Sequence, residues 1–454
     1  MLQQGEVVMS RPGGGQPVSR RAFLAGGAAT LGAVAFASAA AASPSLRTVS
    51  HLGAKHPSGV NETYSLYQYE AAPAPTILAQ MVSDYNKATG NNLTVNINSL
   101  AGSGDILYEA KIRSLISEGS EPSFFQNWVH SLMIPYIEAG AVAPLTAWFK
   151  KYGWDKIIYA NAVNYVTYKG APYGVPLTVR GMPFWYRPSI LKKAGVGLPT
   201  TFTEFENVLA SVAKTGAAPI AVGEIYGWDL MRIFEYLLEV SVGPSVHDQL
   251  LNFETSWNSS GVADAFGLLQ KWGDKKWLLP GFGGTNPNDA DALFVAGRAA
   301  MDLTGGWEEA SLQSGKVSEE DFDVFAGPTD HTPVRFSGFT EQWQISSKLT
   351  GSQMDALGDF MNWSIQPAQS RKYFAWLGGT ATIGGLPAAD FPINAKIFDL
   401  LEKHPTFIVM DQGLGQQIIN VFFNLMDGVT KGSTTPQAAA AGMQAAVNKY
   451  GKAV

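Results

Sequence analysis

The stretch LFVAGRAAMDLTGGWEEASL, residues 293–312, ends an apolar run on Gly305 and Gly306 and then sets Trp307 beside Glu308 and Glu309. A flat ring next to carboxylates is binding chemistry: the ring face packs on C–H groups while the carboxylate oxygens accept hydrogen bonds. Similar pairings recur along the chain. Tyr69 adjoins Glu70, Gln126 and Asn127 precede Trp128, Trp228 precedes Asp229, and Glu341 lies two residues before Trp343. Thr178 and Arg180 add a hydroxyl and a guanidinium with several fixed donors. Asp105 closes the run Gly102-Ser103-Gly104-Asp105, whose backbone N–H groups could also reach a ligand. Structural duties compete at several of these positions: Asp105 as a helix N-cap, Glu70 as a charge at a helix N-terminus, Arg180 in a hinge ion pair, and Trp343 in the core.

Bond-breaking chemistry is poorly represented by comparison. There is no G-x-S-x-G elbow, phosphate loop or H-E-x-x-H pair, and the six histidines are scattered, which removes the commonest hydrolase, nucleotide-hydrolase and zinc readings. No catalytic residue, metal or cofactor is therefore expected. The chain has no cysteine, so disulfides, thiolate metal sites and a lipid-modified cysteine are all excluded from the reading. A formal net charge of -6 supplies none of the basic field that nucleic acid or an anionic membrane would need.

The elements that must position these residues alternate between strand and helix. TYSLYQY reads as a strand, Ile77, Met81 and Tyr85 recur at helical spacing up to a stop at Gly90, and LTVNIN alternates as the next strand. A second unit follows, with the helix ILYEAKIRSLISEGS, the buried strand PSFFQNWV and a helix over SLMIPYIEAGAVAPL. Strand, crossover helix and strand in succession predict an open, largely parallel α/β sheet. Such sheets bind ligands outside the carboxyl ends of their strands, where Tyr69, Glu70, Gln126, Asn127 and Trp128 fall. APYGVPLTVRGMPFWYRP, rich in proline and glycine, is suited to cross between two lobes. After it, Thr203 with Glu206 predicts a capping box for a helix whose apolar face runs through Phe205, Val208, Leu209 and Val212. APIAVG and AAMDLTG read as further strands, followed by FDVFAGP and EQWQISS, and the tail from 364 is mostly helical.

At the N-terminus, Arg20 and Arg21 precede Phe23, Leu24 and a weakly apolar Ala/Gly run that ends at Ala40-Ala41-Ala42. This predicts a signal peptide of the twin-arginine type over 1–42 and a flexible lead-in over 43–60, with a membrane anchor as the alternative.

Four blocks, in this order, carry a resemblance to a known family: YEAAPAPTILAQMVSDYNKATGNNLTVNI; YEAKIRSLISEGSEPSFFQNW; YGVPLTVRGMPFWYRPSILKKAGVGLPTTFTEFENVLASVAKTGAAPIAVG; and the opening stretch, similar to F-x-x-G-K-A-A-M…G-x-W with Arg298 for the usual lysine. The chain resembles the extracellular solute-binding proteins of ABC transporters, in the sugar-binding group that includes the maltose-binding protein. The resemblance covers nearly all of 62–450. SGFTEQWQIS departs from it where the family commonly has a glycine-rich turn.

The resemblance implies a two-lobe periplasmic binding protein fold, type II-like, with a ligand cleft between the lobes. The N-lobe would take 60–179 and 324–363, and the C-lobe 180–323 and 364–454. It further implies a soluble, monomeric periplasmic protein that closes over a carbohydrate and delivers it to membrane permease subunits without breaking a bond. The contacts expected are Tyr69, Glu70, Asp105, Gln126, Asn127, Trp128, Thr178, Arg180, Trp228, Asp229, Trp307, Glu308 and Glu341. Two alternatives stay open: a secreted glycoside hydrolase, which needs two carboxyl groups about 5–10 Å apart, and the same fold holding a cationic amine among its aromatic rings and carboxylates.

Overall fold

In the computed structural model, which describes residues 59–69, 74–100, 104–382 and 385–451 without the side chains of 104–106 and 376, the strands Asn61–Gln68 and Asn92–Ser99 pair in parallel across the helix Ala74–Thr89. The expected signal over 1–42, nearly all of the lead-in and Glu70 lie outside the described residues. Ala74, Leu78, Met81 and Tyr85 form the helix's buried stripe, at the spacing that puts them on one face. Phe124–Asn127 joins the first strand on its other edge, followed by Gln342–Ile345 and Val175–Pro176, giving a five-stranded sheet. Every residue of Phe124–Asn127 and of Gln342–Ile345 is buried, as strands covered on both faces require.

A second sheet of four strands runs in the order Asp323–Phe325, Phe184–Tyr186, Ala299–Leu303, Ala218–Ala221. Only its last two strands are parallel; Phe184–Tyr186 is antiparallel to both neighbours. Aromatic rings fill one side, where Phe184 meets Phe205, Tyr236 and Phe325 at 5.0–5.6 Å between ring centres.

The chain passes three times between these sheets, the third between helix Gly351–Ser364 and helix Pro392–Lys403, whose Ile393 and Ile397 pack with the second sheet, and the first two passages are hydrogen-bonded to each other. Arg180–Gly181 follows the last strand of the first sheet before the return, Phe336–Phe339 follows Asp323–Phe325, and they pair antiparallel through Gly338↔Gly181 and Phe339↔Arg180. Thr406–Ile408 completes this small third sheet. Close approach is the reason for glycine here: a Cβ on Gly338 would stand 2.8 Å from the Arg180 carbonyl oxygen. The expected return at 324 falls inside a strand that still pairs in the second sheet, and the chain re-enters the first only at Gln342. Helix Gly351–Ser364 then packs on the first helix, its Phe360 and Trp363 rings meeting Tyr85 at 5.2 and 5.6 Å.

One expected cap is displaced. The helix Phe202–Ala213 is capped by Thr201, whose Oγ1 accepts from the Glu204 N–H at 3.2 Å, while the Glu204 carboxylate accepts from the Thr200 N–H and hydroxyl at 2.8 Å each. Thr203 and Glu206 have the same spacing two residues later, but Phe202 stacks on Trp272 from inside the helix, which draws the start forward. Glu206 instead accepts from Lys271 at 2.6 Å and from the Trp272 ring N–H at 3.2 Å.

Candidate functional site

Glu341 sits in a two-residue link, Thr340–Glu341, between a strand of the third sheet and a strand of the first. Its carboxylate lies 3.0 Å from Arg180 Nη2 and accepts from Gln126 Nε2 at 3.1 Å. Its N–H donates to Thr178 Oγ1 at 3.3 Å, and its carbonyl accepts from the Leu177 N–H at 2.8 Å. Gln126 passes the chain of bonds on, since its Oε1 accepts from the Tyr69 N–H at 3.0 Å. Tyr69, Tyr108 and Trp128 pack edge to face, 5.5–6.1 Å apart. Tyr69, Gln126, Trp128, Thr178, Arg180 and Glu341 thus form one group, assembled from four separate stretches of chain. Asn127 does not join it: strand alternation sends its side chain the other way, where Nδ2 donates to the Leu132 carbonyl at 3.0 Å and to Gln344 Oε1 at 2.6 Å.

Trp307 opens the helix Trp307–Ser314 and is half-buried. Arg180 Cζ lies 4.9 Å from its ring centre and Arg232 Cζ lies 5.2 Å from it, both within reach of cation–π attraction. Phe339 stands 6.3 Å from the same ring. Arg232 in turn lies over Trp228 at 4.3 Å and pairs with Asp229 at 3.4 Å. Asp229 also accepts from the Gly223 N–H at 2.7 Å. Trp228 and Asp229 do not occupy a free turn as expected but begin the long helix Trp228–Leu251.

Neither of the two glycines before Trp307 has a positive φ. Gly306 has an ordinary right-handed conformation, φ -65° and ψ -14°. What matters is the absent side chain: a Cβ on Gly305 would overlap the Trp307 ring, and one on Gly306 would overlap Asn394 and the Gly378 carbonyl. Asn394 Nδ2 donates to the Gly306 carbonyl at 2.9 Å, so the turn is clasped by the chain's last third. Glu309 belongs to the same clasp. Its carboxylate accepts from the backbone N–H groups of Ile393 and Asn394 at 2.7 and 2.8 Å, capping the helix Pro392–Lys403.

Glu308 is buried, and burial pushes its carboxyl up to about 7. Asp229 is raised to about 6 by burial, with Arg232 opposing. Asp291 and Asp302, hydrogen-bonded to each other, stand well above the usual carboxylate range, through burial first and then through the charges of Glu308 and Asp229 on Asp291 and of Asp291, Asp229 and Glu308 on Asp302. Among the described residues no group of three or more His, Asp or Glu side chains is arranged to hold a metal ion.

Glu70 lies outside the described residues, as does the side chain of Asp105, whose backbone is the second residue of the helix Gly104–Ser117 rather than its cap. Sequence reading missed Arg232, Phe339, Asp291 and Asp302. Arg232 had a usable signal, because it falls four residues after Trp228 and three after Asp229 on a helix, where side chains meet.

Residues 69–368 match the family described as "Bacterial extracellular solute-binding protein". A "Probable sugar-binding periplasmic protein" of Mesorhizobium japonicum is 25% identical over 274 residues, 59% of this chain and 65% of that relative. The aligned stretch thus spans just under two thirds of the relative's own length. Among solved structures, a "Chitin oligosaccharide binding protein" superposes with a TM-score of 0.76 at 20% identity, over 86% of this chain and 98% of that one. "SBP RafE in complex with raffinose" superposes with a TM-score of 0.70 at 17% identity, over 86% and 99%. These likenesses establish the fold as the two-lobe α/β architecture expected from the sequence. No described helix is long and apolar enough to cross a membrane.

Proposed function

We propose, for a chain that belongs to the bacterial extracellular solute-binding proteins, that it captures a carbohydrate outside the cytoplasmic membrane and delivers it to the permease of an ABC importer. One lobe is built on the five-stranded sheet and the other on the four-stranded sheet. The small sheet joining the first two passages is the hinge, and residues 1–42 direct export of a soluble monomer to the periplasm. Capture is closure about that hinge, with no bond broken.

The observation that carries this reading is the succession Glu341, Arg180, Trp307, Arg232. It alternates carboxylate, guanidinium and ring at 3.0, 4.9 and 5.2 Å. Sugars present hydroxyls at the ring edge and C–H groups on the faces, and this succession offers acceptors, donors and a flat apolar surface in the same place. The relatives named for sugar binding and the structures titled with chitin oligosaccharide and raffinose support the same ligand class.

The test is a thermal-shift screen against mono- and oligosaccharides with product analysis on the same samples. A rise in melting temperature without product is expected; release of product overturns the reading in favour of a hydrolase. Trp307→Ala should weaken binding of the stabilising sugar by about tenfold or more, while the ligand-free melting temperature moves little because the ring is only half-buried.

A further inference from the structure

Among the described residues six large apolar side chains are exposed, and only two of them, Ile225 at 46% and Tyr226 at 40%, are adjacent in sequence. Apolar side chains scattered singly over a surface are ordinary, whereas neighbouring ones held out by a fixed backbone mark a surface that something covers. The backbone here is tied at four points. The Gly223 N–H donates to the Asp229 carboxylate at 2.7 Å. The N–H groups of Glu224, Ile225 and Gly227 donate to the carbonyls of Phe282, Thr285 and Glu224 at 2.9, 3.3 and 3.1 Å. Gly227 has a φ of 86°, and a Cβ on it would stand 2.3 Å from the Phe423 ring, so the turn is also seated against the helix Gln416–Thr430.

A second observation connects this turn to the site. It leaves the carboxyl end of the strand Ala218–Ala221 and leads directly into Trp228, the place where open α/β sheets receive ligands. With the rings already described it completes a row. Phe339, on the small joining sheet, is buried, and Trp307, 6.3 Å from it between ring centres, is half-buried. Arg232 links Trp307 to the half-buried Trp228 at 5.2 and 4.3 Å. Tyr226 stands two residues before Trp228, no more than about 7 Å away along the backbone. Exposure therefore rises from the joining sheet outward, and the row ends in solvent on Tyr226 and Ile225.

Resting on the sugar-capture reading above, we propose that the captured carbohydrate is an oligosaccharide, with one unit against Trp307 and the next received by Tyr226 and Ile225. One sugar ring covers about one aromatic face, so a monosaccharide at Trp307 leaves the outer end of the row bare. Arg232 already lies over Trp228, which makes Tyr226 the next open ring. Its face packs on the C–H groups of a sugar and its hydroxyl both donates to and accepts from sugar hydroxyls, while Ile225 adds apolar contact alone. Because the turn is fixed before ligand arrives, the outer unit gains these contacts without the cost of ordering a loop.

The experiment titrates the full chain with three series of one, two and three units, read by tryptophan fluorescence and calorimetry. The series are D-glucose, maltose and maltotriose; D-glucose, cellobiose and cellotriose; and N-acetylglucosamine, chitobiose and chitotriose. In at least one series the two-unit sugar should bind about tenfold more tightly than its one-unit parent. Tyr226→Ala should lower that ratio about fivefold, and Tyr226→Phe, which keeps the ring face, should retain most of it. Leu198→Ala, at an exposed side chain outside the row, should leave the ratio unchanged. One-unit sugars that bind as tightly as their longer relatives in every series overturn the second unit and leave sugar capture standing. A ratio that survives in Tyr226→Ala, or that Leu198→Ala lowers as much, also overturns it. No saturable binding by any of the eight sugars overturns both the proposal and the reading it rests on.

Discussion

Arg180 and Glu341 form an ion pair of 3.0 Å with side chains 8% and 2% exposed, at the point where the first two passages between the sheets are bonded to each other. Removing one member of such a pair leaves the other charge buried. Glu341→Ala should therefore cost about 3 kcal/mol or more in urea unfolding, and Arg180→Met combined with Glu341→Leu should recover most of it. A loss for the double change equal to the sum of the losses for the two single changes would mean the pair contributes nothing as a pair.

Gly305 and Gly306 separate ligand affinity from stability. The atoms nearest a Cβ on Gly305 all belong to the Trp307 ring, a side chain that can swing away, so in Gly305→Ala the fold should hold while sugar affinity falls by about tenfold. Gly306→Ala meets the Gly378 carbonyl, which is backbone, and should lower the melting temperature by several degrees, about 2 kcal/mol. Thermal melts and fluorescence titrations of the two variants check the contrast.

Glu235 is fully buried on the helix Trp228–Leu251. One oxygen accepts from the Met410 N–H at 3.0 Å and the other has no partner. Burial raises its carboxyl from 4.5 to about 8. The folded chain thus holds a proton that the unfolded chain gives up, and the stability this group contributes is full below about pH 4.5 and is lost as pH rises to about 8. Glu235→Gln keeps the acceptor for Met410 and removes the titration. Melting temperatures of the parent should fall more between pH 5 and pH 8 than those of the variant; parallel curves would refute the assignment.

The displaced cap gives a direct comparison. Thr201→Ala should destabilise by about 1 kcal/mol, whereas Thr203→Ala, at an exposed position inside the helix, should change stability by less than about 0.5 kcal/mol. Denaturant midpoints of the two variants decide it, and a larger effect at Thr203 would restore the cap read from the sequence.

Local patterns carried the sequence reading as far as local physics reaches. The helix Ala74–Thr89 was legible because its apolar stripe has a helical period, and Trp307 because two glycines precede a ring flanked by acids. Overlapping signals blurred the cap, since two threonine-glutamate pairs of equal spacing lie two residues apart and only the packing of Phe202 on Trp272 chooses between them. The glycines were noticed, but the reason for Gly306 was not legible: the atoms it makes room for, on Asn394 and Gly378, lie more than 70 residues further along the chain. The same distance hid the division of labour between Glu308 and Glu309. Adjacent and identical in type, one adds its charge to the buried Asp291 and Asp302 and the other caps a helix 84 residues away. Pairing across such separations is decided by the assembled fold and leaves no mark on spacing.

The clasp on the Trp307 turn also fixes an order of events during synthesis. The turn itself is made by residue 307, but Gly378 and Asn394 must have left the ribosome before it can be held, and the first sheet waits likewise for Gln342–Ile345. A nascent chain of 330 residues therefore has every strand of the second sheet but lacks Glu341, the strand Gln342–Ile345 and the clasp on the Trp307 turn. The ability to hold a ligand arrives late and abruptly, within the final quarter of translation.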